Sequence, residues 1–231
     1  TMTYLIANWK SHLNNTQSLS WLKEIEKLAP TISPDLKTIV CLPFTDLPEF
    51  NRHLNFSKTP LFVGAQTVSP YSAGKHTGDI TASMLSELVT YCLVGHSERR
   101  VNLKETTQDV SNQCQKLLKQ NITPIICVDK PYIDEQVKEL FAQNIPLSRC
   151  LFAYEPASAI GTKKPESPED ASKVASKIIL LTNGDSPVIY GGSVSPENIL
   201  SFTNQLNIDG VLVGTNSLKP SVFNQLVNLL K

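Results

Sequence analysis

An excess of charge of either sign is missing: 21 Lys and Arg balance 21 Asp and Glu over 231 residues. A nucleic-acid partner demands a basic footprint, so none is expected, whereas a small anion held by a few local donors stays open. No apolar run approaches the ~20 residues of a membrane span, and no signal-peptide pattern opens the sequence. The expectation is a soluble, cytoplasmic chain with no membrane partner. Five cysteines, Cys41, Cys92, Cys114, Cys127 and Cys150, are odd in number and include no CxxC pair and no His/Cys ligand spacing. They read as reduced thiols, three of them inside apolar strand-like runs where a thiol behaves as a small hydrophobe. With 10 glycines and 15 prolines, the chain is neither fibrous nor disordered in composition. No linker and no low-complexity segment interrupts it, so one domain over residues 1–231 is expected.

What is present is an alternation. Short apolar runs at Tyr4–Ala7, Thr38–Leu42, Leu61–Ala65, Cys92–Gly95, Pro124–Val128, Leu151–Tyr154, Val188–Tyr190 and Val211–Val213 read as strands. Helical segments follow them near Thr16–Ala29, Leu47–Leu54, Thr81–Val89, Thr106–Gln120, Tyr132–Asn144, Pro168–Thr182, Pro196–Thr203 and Pro220–Leu230. The first helix carries Leu19, Leu22, Ile25 and Leu28 on its expected buried face. The units are roughly 30 residues long, the size of a βα crossover. Continuously apolar strands point to a parallel sheet covered on both faces. Eight units predict an α/β protein of the eight-stranded parallel β/α barrel type, compact beside the roughly 250 residues that fold usually takes. An open doubly wound sheet is the alternative, although no GxGxxG follows the first strand.

In such a barrel, chemistry collects where the strands end. Those ends carry Asn8 and Lys10, Gln66, His96, Glu155, Gly191-Gly192-Ser193 and Gly214-Thr215-Asn216. A lysine, a histidine and a glutamate from different strands then share one mouth. Glycine-rich turns after the last two strands offer backbone N–H groups to a phosphate. Each residue also has a plain reading: a solvated lysine, a helix-start histidine, a glutamate paired to an arginine, a glutamine in packing or at an interface, a tight glycine turn, a core Cys127. Agreement among the strand ends favours a site for a small phosphorylated molecule.

Seven stretches are more specific: "ANWK" at Ala7, "GAQ" at Gly64, "VGHSERR" at Val94, "AYEP" at Ala153, "AIGT" at Ala159, "YGGSV" at Tyr190 and "DGVLVG" at Asp209. In this order they resemble the triosephosphate isomerase family, from the first strand to the last. The resemblance implies interconversion of dihydroxyacetone phosphate and D-glyceraldehyde 3-phosphate through an enediolate, with no cofactor and no metal. This family is itself a standard example of tuned acid–base chemistry, and the roles come with the resemblance. They make Glu155 the base, His96 the neutral electrophile, Lys10 the positive charge near the developing oxyanion, and Asn8 an orienting group. Gly161, Gly192, Ser193, Gly214 and Thr215 are implied phosphate-site residues. Ser97, Glu98, Arg99 and Tyr190 are implied supports. The loop "AQTVSPYSAGKHTGDI" resembles the family's dimer-forming loop, so a homodimer is implied, with Thr77 and Gln66 at its interface.

The chain departs from the family pattern around the loop after Glu155. Pro156-Ala157-Ser158 stands where the family usually reads Pro-Val-Trp, and Lys130 replaces the glutamate that partners the tryptophan. Lys163 replaces a glycine, and Pro165, which fixes φ and removes a donor, predicts altered loop kinetics. Thr215 replaces a further glycine and keeps its phosphate-facing N–H only if the local φ suits a β-branched residue. Two other readings stay in play: a phosphosugar aldolase using Lys10 as a Schiff-base amine, and a phosphate-binding pseudoenzyme or scaffold on the same barrel.

Overall fold

The structure is a computed structural model that describes residues 2–28, 32–159, 161–162 and 164–230. The chain runs β1 (Thr3–Asn8), α1 (Asn15–Leu28), β2 (Leu36–Leu42), α2 (Leu47–Ser57), β3 (Phe62–Ala65), α3 (Ala82–Leu85) and β4 (Tyr91–Val94). It continues through α4 (Ser97–Asn102), α5 (Thr107–Lys119), β5 (Thr123–Val128), α6 (Ile133–Ala142), β6 (Leu151–Tyr154) and α7 (Pro168–Leu181). The last elements are β7 (Val188–Tyr190), α8 (Ile199–Thr203), β8 (Gly210–Val213) and α9 (Pro220–Leu229). The strands pair in parallel in sequence order and β8 closes onto β1, giving an eight-stranded barrel. The open-sheet alternative is thereby excluded.

Alternation along each strand sorts the core into two layers. Ile6, Ile39, Leu93, Ile125, Leu151, Ile189 and Leu212 fill the barrel interior with Cys41 and Cys127. The intervening residues, such as Leu5, Val40, Val94, Ile126 and Phe152, pack outward against the helices. Both layers are buried and apolar, which is why these strands read as continuous apolar runs rather than alternating ones.

Local chemistry sets the helix starts. Thr106 and Asp109 form a reciprocal cap on α5: Asp109 N donates to Thr106 Oγ1 at 3.1 Å and Thr106 N donates to Asp109 Oδ2 at 2.9 Å. Ser167 caps α7, accepting from Asp170 N at 3.1 Å, with Pro168 in the first turn.

Two expectations need correction. α1 buries Ser18, Trp21, Leu22 and Ile25, while Leu28 stands 41% exposed and Leu19 is half-buried. The helix is turned by Trp21, which packs edge-on against Trp9 (centroids 4.8 Å) and donates Nε1–H to Ser217 O at 3.0 Å. Ser18 is drawn in by a hydrogen bond to the buried Asp46 carboxylate. The expected helix Thr81–Val89 shrinks to α3. Its end turns back at once, with Leu88 N and Val89 N both on Leu85 O, because Thr90 already bonds to the sheet through Val63 O.

Candidate active site

Three strand ends meet at one mouth of the barrel. β1 delivers Asn8, buried at its last position, whose Oδ1 accepts from Lys10 N at 3.1 Å. Lys10 takes φ +52, a conformation disfavoured for a side-chain-bearing residue. The Gln66 amide holds that turn, donating to Lys10 O at 2.8 Å and Cys41 O at 3.1 Å. Gln66, expected at an interface, thus has a bonding role inside the chain. The Lys10 ammonium lies 2.5 Å from Glu98 Oε1. Burial alone would raise the Glu98 carboxyl, but Lys10 and His96 outweigh it and hold it below the ordinary carboxylate value.

β4 delivers His96 through Gly95, which sits at φ +68; a Cβ there would lie 2.5 Å from Arg100 Nη2. Only glycine fits that turn. His96 caps α4, its Nδ1 accepting from Glu98 N at 3.2 Å, which leaves the proton of the neutral ring on Nε2. Ser97 opens the helix behind it. Nε2 is 3.4 Å from Glu155 Oε1. Burial pulls the His96 pKa down, but the Glu155 carboxylate and then Glu98 outweigh it, and the ring sits above its ordinary value.

β6 delivers Glu155, 3% exposed, its backbone N–H on Val128 O at 2.9 Å. Its Oε2 is buried without a hydrogen-bond partner among the described residues, and the residue borders the cavity. A buried carboxylate oxygen without a partner is costly, which makes Glu155 a candidate functional group. Gly191 lies directly against it; a Cβ at 191 would come within 2.7 Å of Glu155 Cγ.

A cavity of about 410 Å³ runs from Lys10 and Glu155 to Gly161, Ser193, Gly214 and Thr215. Four of the five expected phosphate residues therefore border one space with the base candidate. Gly192 is buried beneath the turn instead, where a Cβ would collide with the Tyr190 hydroxyl. Thr215 opens a short 3-10 turn without a positive φ, so its N–H is compatible with a β-branched side chain. Ser193 takes φ +53 and its Oγ donates to Ala159 O at 2.5 Å, tying the β7 turn to the segment after Glu155. Tyr190 stacks on Phe202 (centroids 4.1 Å) and accepts Glu166 N at 3.0 Å. Ile160 and Lys163 lie outside the described residues.

A second cavity of about 350 Å³ shares Asn8 and Lys10 and is bordered by Phe44, Gln66, Thr67 and His96. Thr77 is exposed on the long loop outside both cavities. Arg99 pairs with the buried Glu105 carboxylate at 3.1 Å.

Sequence reasoning passed over Arg100. Its buried guanidinium donates to Gly95 O at 2.7 Å, Cys127 O at 3.2 Å and Gln136 Oε1 at 2.8 Å, joining the ends of β4 and β5 beneath the site. The available signal was its place four residues after His96, on the inner face of a helix start. The five thiols are buried and free, and burial pushes Cys41, Cys92, Cys114 and Cys127 well up and Cys150 up to about 12, so none suits a nucleophile. No described helix is long and apolar enough to cross a membrane.

The arrangement offers a carboxylate acceptor, an imidazole N–H and an ammonium at one end and glycine-rich turns at the other. Comparison with known proteins agrees in kind. A family model described as triosephosphate isomerase matches residues 3–230. The chain is 37% identical over 245 aligned positions to triosephosphate isomerase of Mesomycoplasma hyorhinis, covering 99% of both chains. It is 37% identical to the enzyme of Alkaliphilus metalliredigens (97% and 98% covered) and 36% identical to that of a Nostoc species (98% of each).

Proposed function

Since the chain belongs to the triosephosphate isomerase family and is an isomerase of triose phosphates, we propose that Glu155 is the base that shuttles the proton between the two carbons. The observation that carries this reading is its buried, unpartnered Oε2 beside the cavity, 3.4 Å on its other oxygen from His96 Nε2. A base must reach the carbon-bound proton, and a donor must face the oxygen where charge develops. His96, with its proton on Nε2, is that donor, and Lys10 adds positive charge near the same oxygen. Asn8 orients Lys10. N–H groups of Gly161, Ser193, Gly214 and Thr215 hold the phosphate, with Gly192 keeping their turn tight. Ser97, Glu98, Arg99 and Tyr190 support these groups from behind.

The segment after Glu155 acts as a lid, because an enediolate open to water loses its phosphate. The reaction requires neither cofactor nor metal. The working unit is a homodimer: the cavity beside Lys10 accepts Thr77 and its loop from a second copy, and the buried Thr67 hydroxyl that borders it lacks a partner among the described residues. Buried reduced thiols suit a cytoplasmic location.

The test is a coupled assay of triose phosphate interconversion, run in H₂O and in D₂O. Turnover with deuterium carried into the product is expected. An inactive chain would leave the pseudoenzyme reading standing, and inactivation by borohydride in the presence of substrate would revive the Schiff-base reading.

A further inference from the structure

Both ends of the segment that follows Glu155 are bonded to a single turn, Asp129-Lys130, just beyond β5. At the near end Ala157 N donates to Asp129 Oδ2 at 3.0 Å, and Lys130 N fixes the same carboxylate through Oδ1 at 2.6 Å. At the far end the Glu166 carboxylate is divided: Lys130 Nζ lies 2.5 Å from Oε1 and Tyr154 donates its hydroxyl to Oε2 at 2.9 Å. Glu166 N meanwhile donates to Tyr190 Oη at 3.0 Å. Tyr154 immediately precedes Glu155, so this set of bonds ends one residue from the carboxylate at the cavity.

We propose that Asp129, Lys130 and Glu166 are positioning residues that clasp the two hinges of the lid to the β5–α6 turn and so set how well the lid shields the intermediate. This rests on the reading of that segment as a lid over an enediolate at Glu155. The clasp also gives meaning to the departures in sequence. The usual tryptophan and glutamate are both absent, and the lysine at the glutamate's place reaches the far hinge. An ion pair takes over, with Glu166 only 17% exposed and Lys130 56% exposed. Burial of the carboxylate end limits screening, while the exposed ammonium leaves the pair sensitive to salt. The hydrogen bond that Lys130 donates to the Glu166 carboxylate raises the lysine pKa, so the ammonium keeps its charge.

A pair of this exposure shifts a lid equilibrium by about two- to five-fold. The readout is inorganic phosphate released per isomerisation event, which reports escape of the intermediate. It is independent of substrate capture and unmoved by a purely structural role. The full chain is compared with Lys130→Met, Glu166→Gln and the double variant, each with its melting temperature recorded. Each single variant should raise the phosphate ratio about three-fold with melting unchanged, and the double variant should be no worse than either. Salt of about 0.5 M should move the wild type toward the variants and leave the variants where they are. An active wild type whose variants release phosphate at the wild-type ratio, or whose effects multiply in the double variant, would overturn the clasp alone. A wild type without isomerase activity would overturn the function on which it stands.

Discussion

At the residue scale, the charge of His96 is set by burial and by its neighbour Glu155. Burial favours a neutral ring and the neighbouring carboxylate favours a charged one, with the carboxylate prevailing in the unliganded chain. Glu155→Gln removes that pull and leaves burial in command, so the ring pKa should drop below its ordinary value of about 6.5. A ring-proton NMR titration of both proteins checks the sign. The same raised value has a linkage consequence. Protonated His96 stabilises the ligand-free wild type below the unfolded pKa of about 6.5, and the gain fades as pH rises through the folded value. Urea midpoints measured across that window should decline in the wild type and not in Glu155→Gln. Glu155 and His96 were legible in the sequence because each sits at the end of an apolar run. Gly191 was visible only as a turn. That it makes room for the Glu155 side chain is a fact of packing, and no spacing encodes it.

Elements with one job were the easiest to read. β6 and β7 fall on the expected residues, since a strand buried on both faces leaves no polar position to blur its edges. The buried face of α1 keeps the expected Leu22 and Ile25 but turns toward Ser18 and Trp21, because hydrophobic periodicity does not foresee Trp9 seating Trp21. α4 and its Arg100 were hidden for another reason: a charged dipeptide looks solvated, and only the barrel brings three acceptors around the second arginine. Arg100→Met strands Gly95 O, Cys127 O and Gln136 Oε1, and should cost about 3 kcal/mol in urea unfolding, with kcat falling as the His96 turn loosens. Pro165, exposed one residue before Glu166, fixes its own φ and removes a donor in the segment proposed to act as a lid. Pro165→Ala should change both turnover and its dependence on solvent viscosity.

Taken whole, the molecule places every polar strand end of interest on one rim while the rest of the barrel is sealed by apolar layers. That division made eight βα units legible from periodicity, with closure of the sheet left to the strand pairing, whereas the bonds from Asp129 and Lys130 to the segment after Glu155 stayed hidden, since they join residues distant in sequence. The homodimer proposed above would cover the cavity beside Lys10 that Phe44, Gln66, Thr67 and His96 border. Light scattering should give twice the 25.5 kDa chain mass, and Thr77→Arg should lower both that mass and activity. The proposed chemistry turns on the carboxylate at the end of β6. Steady-state isomerisation by Glu155→Gln, with circular dichroism and melting matched to the wild type, tests it most directly. A loss of kcat of at least about 10³-fold at nearly unchanged KM is predicted, as expected when a proton-transfer group acts only in the transition state. Retention of wild-type kcat in the folded variant would contradict it.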